Sequence, residues 1–230
     1  MSSNVSVYDA TITTFNPQVF DLYILAQSWQ PTFCSGKEAQ YPGCRNPETY
    51  WETHLTLHGL WPEESNHVPP SFCSREAFDA KLIEHTIGMK TLHEFWPDVK
   101  VSETSDEYAE FWKHEWTRHG TCSGLSQVDY FTQAINLERN DTLAPTPEFV
   151  QQHVGKEVNV NELRQAFGDA ALKCQHSHTH SIMFSQVFTC WQKNAQNIPT
   201  HRCKIKIRLY SSTFLNKTKG VLKRVFIHIA

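Results

Sequence analysis

Phe111-Trp-Lys-His-Glu-Trp-Thr-Arg-His-Gly-Thr-Cys122 crowds two histidines, a carboxylate, a guanidinium and a cysteine into one aromatic-rich segment. Apolar residues at helical spacing, Tyr108, Phe111 and Trp112, predict a helix over Glu107–His119. A capping box of Thr104 with Glu107 opens it, and a left-handed Gly120 stops it. The histidine spacing then selects the chemistry. A helix turns about 100° per residue, so side chains four apart lie about 40° from one another and side chains five apart about 140°. His114 and His119 are five apart, which does not suit a two-histidine zinc helix, whose ligands leave one face four residues apart. Glu115 and His119 share a face with Arg118 beside both, and that set reads as an acid–base and anion-binding cluster. Taken alone, Glu115 and Arg118 also fit an ordinary helix ion pair.

Outward from this helix, Thr53-His-Leu-Thr-Leu-His-Gly-Leu-Trp-Pro62 supplies a second imidazole. Alternation predicts a strand over Thr53–Leu57 that ends at His58-Gly59, where the chain turns and presents His58 at the end of a sheet. A lone histidine there would be structural. Two reactive histidines form a general acid–base couple, in which one ring takes a proton while the other gives one.

His58-Gly-Leu-Trp-Pro62 and Phe111–Cys122 resemble the two active-site segments of the ribonuclease T2 family, the secreted acid endoribonucleases. The likeness extends to Phe20-Asp-Leu-Tyr, Ala26-Gln-Ser-Trp29, Pro31, Cys34 and the late cysteines, so it covers most of the chain from Phe20 onward. A narrower likeness is to the secreted egg ribonucleases of parasitic flukes. The resemblance implies a metal-independent cleavage of single-stranded RNA through a 2′,3′-cyclic phosphate to 3′-phosphate ends, with no cofactor. His119 would be the general base and His58 the general acid. Glu115 and Arg118 would stabilise the transition state, and His114 would hold the phosphate. Trp61 and Glu63 would bind one base; Gln27 and Phe111 would line the second base site. Arg118 stands where the family usually has lysine, and Glu63 where it often has aspartate. With histidines of ordinary pKa near 6.5, one ring neutral and one charged is best met in mild acid. DNA, lacking the 2′-hydroxyl nucleophile, should be inert.

The resemblance also implies an α+β fold, a central and mainly antiparallel β-sheet flanked by helices, disulfide-bonded. Its pairs would be Cys34 with Cys44, Cys73 with Cys122, and Cys190 with Cys203. Cys174, whose partner in relatives lies beyond the last strand, would be a free thiol or an intermolecular link. Seven cysteines point to an oxidising compartment, hence a secreted, extracellular or endolysosomal protein. Asn4, Asn140 and Asn216 head glycosylation sequons, through which N-glycans could meet cell-surface receptors. A family member acting chiefly as a signalling or immunomodulatory ligand is the alternative function.

The 230 residues, 40% of them hydrophobic, suffice for one domain over 1–230 with an N-terminal extension over 1–19, read as a monomer. No stretch approaches the roughly 18 apolar residues of a membrane span. Met1–Phe15 lacks the apolar run of a signal peptide, so the expected species is a mature form with an added Met1. The net charge of -3 hides a division: after Asp169 there is no Asp or Glu, and the C-terminal quarter is basic. That surface could draw in RNA phosphates or glycosaminoglycans, or be one solvated face of a strand over Lys204–Tyr210. His176-x-His178-x-His180, near Cys174, has the alternation of a zinc or copper site, but no metal is expected. Further strands are predicted near Asp21–Ala26, Ile182–Thr189 and Val221–Ile229. Further helices are predicted near Arg75–Thr86, Gln127–Glu138, Pro147–Val154 and Asn161–Leu172.

Overall fold

The computed structural model describes residues 20–140, 146–168, 170–177, 181–203 and 224–228. Its strands are β1 (Leu22–Ser28), β2 (Thr56–Glu63), β3 (Lys156–Asn159), β4 (Ala171–His176), β5 (Ile182–Lys193), β6 (Pro199–Arg202) and β7 (Arg224–Ile227). Among the described residues they form one sheet in the order β2-β1-β5-β7-β3, with β4 and β6 also pairing with β5. Every pairing is antiparallel except that of β5 with β7. The helices are α1 (Gln30–Cys34), α2 (Pro42–Arg45), α3 (Thr49–Thr53), α4 (Ala80–Ile87), α5 (Met89–Phe95), α6 (Glu110–Arg118), α7 (Gln127–Arg139), α8 (Glu148–Gln152) and α9 (Val160–Ala166). The fold is the expected α+β arrangement of a mainly antiparallel sheet flanked by helices.

Alternation along the strands divides the apolar residues between two faces. Tyr23 and Leu25 of β1, Leu57 and Leu60 of β2 and Trp191 of β5 pack against Ile83 of α4, Leu92 of α5, Trp112 and Trp116 of α6 and Tyr130 and Phe131 of α7. Leu22, Ile24 and Ala26 join Phe188 and Cys190 in a smaller strip on the opposite face, with Trp61 against it. A further cluster joins Val158, Val160, Leu163 and Phe167 to Phe184, Val187, Val225 and Ile227. Large aromatic side chains dominate the first cluster, and full burial of each contributes on the order of 2–3 kcal/mol. That cluster fixes α6 beside the sheet.

Several local expectations are corrected. The capping box does not form: α6 begins at Glu110 with Ala109 at its N-cap and no side-chain cap. Glu107 N instead donates to Ser105 Oγ, and the Thr104 hydroxyl pairs with Ser102, which are turn bonds. Gly120 is not left-handed either; it opens a 3₁₀ turn. It is glycine because a Cβ there would stand 2.3 Å from Trp116 Cε3. Thr53 closes α3, and β2 starts at Thr56 and runs through His58-Gly59 to Glu63, so His58 is not at a strand end. The helix expected over Asn161–Leu172 stops at Ala166. Gly168 follows at φ +66, and Ala171–His176 is a strand paired with β5. α4 starts only after Asp79, whose carboxylate accepts from Leu82 N.

The disulfides are Cys34–Cys44, Cys73–Cys122 and Cys190–Cys203, as expected. Cys174 is a buried free thiol, and burial pushes it up to about 12, so it is neutral and unreactive. Asn140 is exposed. The strand expected over Lys204–Tyr210, the sequons at Asn4 and Asn216, and His178 and His180 lie outside the described residues. Of Val221–Ile229, residues Arg224–Ile227 form β7. No described helix is long and apolar enough to cross a membrane.

Candidate active site

His58 owes its position to a defect in the β1–β2 ladder. Ala26 pairs with Gly59 but Gln27 pairs with Leu57, so His58 is an extra residue with no partner opposite. Such a bulge re-aims the side chains on either side of it. Leu57 and Leu60, three apart, both face the helical core, while Trp61 faces the opposite strip. The His58 ring meets Trp61 at 5.3 Å and Phe111 at 5.7 Å between centroids. Two side chains from the core secure the open edge of β2: Trp96 Nε1 donates to His58 O at 3.1 Å, and the Tyr130 hydroxyl donates to Leu60 O at 2.8 Å. These bonds occupy carbonyls that an edge strand would otherwise present to solvent.

α6 brings the remaining groups. Trp112 and Trp116 form its buried stripe, with Tyr108 packed just before it, and Glu115, 1% exposed, is buried between that stripe and β2. Trp61 Nε1 donates to Glu115 Oε2 at 2.8 Å. The contact requires Gly59: a Cβ there would stand 2.1 Å from Glu115 Oε2 and 2.4 Å from Trp61 Nε1. Burial pushes the Glu115 carboxyl up to about 8 against the opposing effects of the Trp61 bond and Arg118.

His119 caps the C-terminal end of α6 and stacks on Trp61 at 5.1 Å. Both imidazoles therefore contact the same indole. His119 Nδ1 is buried without a hydrogen-bond partner among the described residues, so a charged ring would bury an unpaired N–H. Burial, then Arg118, His58 and His114, push His119 down to about 3. His58 keeps 32% of its side-chain surface exposed. Burial of the rest of the ring, then Lys173, His114 and Lys100, push it down to about 4. His58 Nε2 lies 3.7 Å from Glu115 Oε1. Burial raises the Glu115 pKa and lowers that of His58, both of which disfavour an ion pair across this contact.

His114 and Arg118 lie on the exposed side of α6, one turn apart. Burial and then Arg118 lower the His114 pKa. Arg118 does not pair with Glu115; its guanidinium lies 5.9 Å from the ring of Phe72. Phe72 has φ +54, is 59% exposed and donates its N–H to Arg118 O at 2.9 Å, beside the Cys73–Cys122 bridge. Glu63 ends β2, with its carboxyl pushed up to about 7 by burial and then Asp21. Phe111 is half-buried beside His58 and so belongs to the site as well as to the apolar stripe.

The expectation for Gln27 does not survive. Its side chain is 2% exposed and donates to buried Glu138 Oε2 at 2.9 Å, away from the site. Successive strand residues face opposite sides, so the neighbouring Ser28 takes the site face instead. There its hydroxyl accepts from Gln186 Nε2 at 3.0 Å, and the same nitrogen donates to His58 Nδ1 at 2.6 Å. Neither Gln186 nor Phe72 belongs to the sequence motifs, and only cross-strand register could have pointed to Gln186. Clefts of about 680 Å³ around Glu48, His93 and Glu103 and about 320 Å³ around Gln30 and His228 contain none of the expected site residues. No group of three or more His, Cys, Asp or Glu among the described residues is arranged to hold a metal ion.

Two imidazoles against one indole, a buried carboxyl and an exposed guanidinium beside an edge strand make up the candidate site. A profile described as the Ribonuclease T2 family matches residues 20–203, and the chain belongs to that family. It is a ribonuclease. Ribonuclease DdI of Dictyostelium discoideum is 30% identical over 207 residues, 85% of this chain and 82% of that protein. Ribonuclease 1 of Arabidopsis thaliana is 26% identical over 204 residues, 84% of each chain. The crystal structure of ribonuclease MC1 from bitter gourd seeds shares the fold at a TM-score of 0.63 and 24% identity, covering 80% of this chain and 95% of that one.

Proposed function

We propose that this ribonuclease cleaves single-stranded RNA by transphosphorylation, with His119 as general base and His58 as general acid. The observation that carries this reading is the pair of imidazoles in contact with Trp61, with buried Glu115 bonded to the same indole. His119 takes the proton of the ribose 2′-hydroxyl, the 2′-oxygen attacks the adjacent phosphorus, and His58 protonates the departing 5′-oxygen. The nucleophile is already tethered beside its target, so two proton carriers and a charge-stabilising group suffice. The product is a 2′,3′-cyclic phosphate. Water opens it to a 3′-phosphate when the two histidines exchange roles.

Neutral Glu115 suits a phosphoryl site, because a protonated carboxyl donates a hydrogen bond where a carboxylate would repel the developing charge. Arg118 and His114 supply positive charge from the exposed side. Trp61 and Glu63 hold one base, and a Glu63 that titrates near neutrality can donate as well as accept. Phe111 takes the second base. The disulfides support folding in an oxidising compartment, and hence a secreted or endolysosomal enzyme acting as a single domain.

A defined RNA and its DNA analogue, digested in chelator by the wild type and by His58→Phe, test the reading. Cyclic-phosphate ends from RNA alone, absent in the variant, are expected. Cleavage of DNA, or activity restored only by added zinc, would overturn it.

A further inference from the structure

Gln186 lies on β5 between two neighbours, its register partners being Ser28 of β1 and Lys173 of β4. It is a polar side chain only 8% exposed, and its amide nitrogen reaches both His58 Nδ1 and Ser28 Oγ. A general acid must pass through more than one protonation state, and each state asks something different of the group that faces Nδ1. In the resting neutral ring Nδ1 accepts from the Gln186 amide nitrogen, which leaves the proton on Nε2, the nitrogen turned toward Glu115. The imidazolium carries N–H on both nitrogens. Once Nε2 has given its proton to the leaving oxygen, the ring is neutral again with Nδ1–H. Both of these states need an acceptor at Nδ1, and the same amide rotated by half a turn offers Oε1.

Ser28 lets either orientation stand. A hydroxyl both accepts and donates, so its oxygen accepts from the amide nitrogen in one orientation and its proton goes to Oε1 in the other. The end of the amide that faces His58 and Ser28 therefore keeps its partners in either orientation.

We propose that Gln186, backed by Ser28, is the positioning residue of the general acid: its amide holds His58 Nδ1 in every protonation state and leaves Nε2 as the nitrogen that gives and retakes the proton. This rests on the assignment of His58 as general acid, and the measurements separate the two. Nitrogen-15 NMR of histidine-labelled wild-type enzyme reads the ring without any assay. Above its pKa His58 is expected as one tautomer, protonated at Nε2; a mixture of tautomers would overturn the proposal. Loss of the acid assignment would appear separately, as activity retained in His58→Phe.

Two substitutions then move the pH profile in opposite directions. In Gln186→Leu the imidazolium loses its acceptor, so kcat falls about 10- to 100-fold with KM little changed, and the alkaline limb moves to lower pH. In Gln186→Glu a carboxylate faces the imidazolium, and the alkaline limb moves about 1–3 pH units higher. The other titratable or charged groups acting on the ring are Glu115 and His114 of α6, His119 at its C-terminal end, Lys173 of β4 and Lys100 before α6, and both variants retain them. Gln186 in a packing role alone would lower the melting temperature and leave both limbs in place, which would overturn the proposal. Should Gln186→Leu fail to fold, Gln186→Glu and the wild-type tautomer decide the matter.

Discussion

The two sides of α6 follow opposite rules. Toward the core, Trp112 and Trp116 are buried among Tyr108, Trp96 and Tyr130, and Trp112 Nε1 donates to Trp96 O at 2.8 Å. Toward β2, Glu115 is buried with its pKa raised, and His119 is held with a buried nitrogen that has no partner among the described residues. One side maximises apolar burial; the other keeps ionisable groups where water cannot easily stabilise their charge. The first makes the second possible, because a carboxyl and an imidazole persist in poor solvation only on a helix that something else holds down.

The largest break in that contrast should come from His119→Ala. Loss of a general base costs on the order of 10²–10⁴-fold in kcat, while thermal melting should stay within a few degrees of wild type; rates on a dinucleotide and a melting curve check both. Trp112→Ala inverts the pattern, with stability falling about 3–5 kcal/mol in urea titration and the pH profile of the folded fraction unchanged. Glu115→Gln should reduce activity yet stabilise the fold by on the order of 4 kcal/mol at pH 8. Glu115 titrates near 4.5 when unfolded and about 8 when folded, so its ionisation costs stability as pH rises between those values. The advantage of glutamine should therefore be absent below pH 4.5 and complete above pH 8, which urea melts across that range would show.

The smallest effect expected is on the pH profile. His58 must be protonated to act as the acid and sits at about 4 in the free protein, so the alkaline limb of kcat/KM should fall well below the ordinary 6.5. A bound phosphodiester favours the charged ring, so the limb of kcat should lie higher than that of kcat/KM. Coincident limbs at 6.5 would show that burial does not tune these histidines.

Much of the site was legible because its chemistry is local in the chain. His58, Trp61, Glu115 and His119 sit in two short segments whose residue types and spacing already excluded the zinc-helix pattern. The family resemblance supplied the disulfide partners. What was misread depended on partners distant in sequence. Gln27 and Ser28 differ by one position, and only pairing with β5 tells which faces the site. Gly120 was explained by a turn when the cause is the Trp116 ring, and Gly59 has its reason in Glu115, more than fifty residues away.

By itself the sequence determined which groups could carry protons, that His114 and His119 could not serve as a four-apart zinc pair, and that an apolar stripe would anchor the helix leading to them. Those are properties of side-chain chemistry and of the helical repeat. Tertiary structure alone decided that His58 is the extra residue of a bulge, that Glu115 is buried beside Gly59, and that Gln186 faces Nδ1. Register, burial and close approach arise between segments, and no spacing within one segment encodes them.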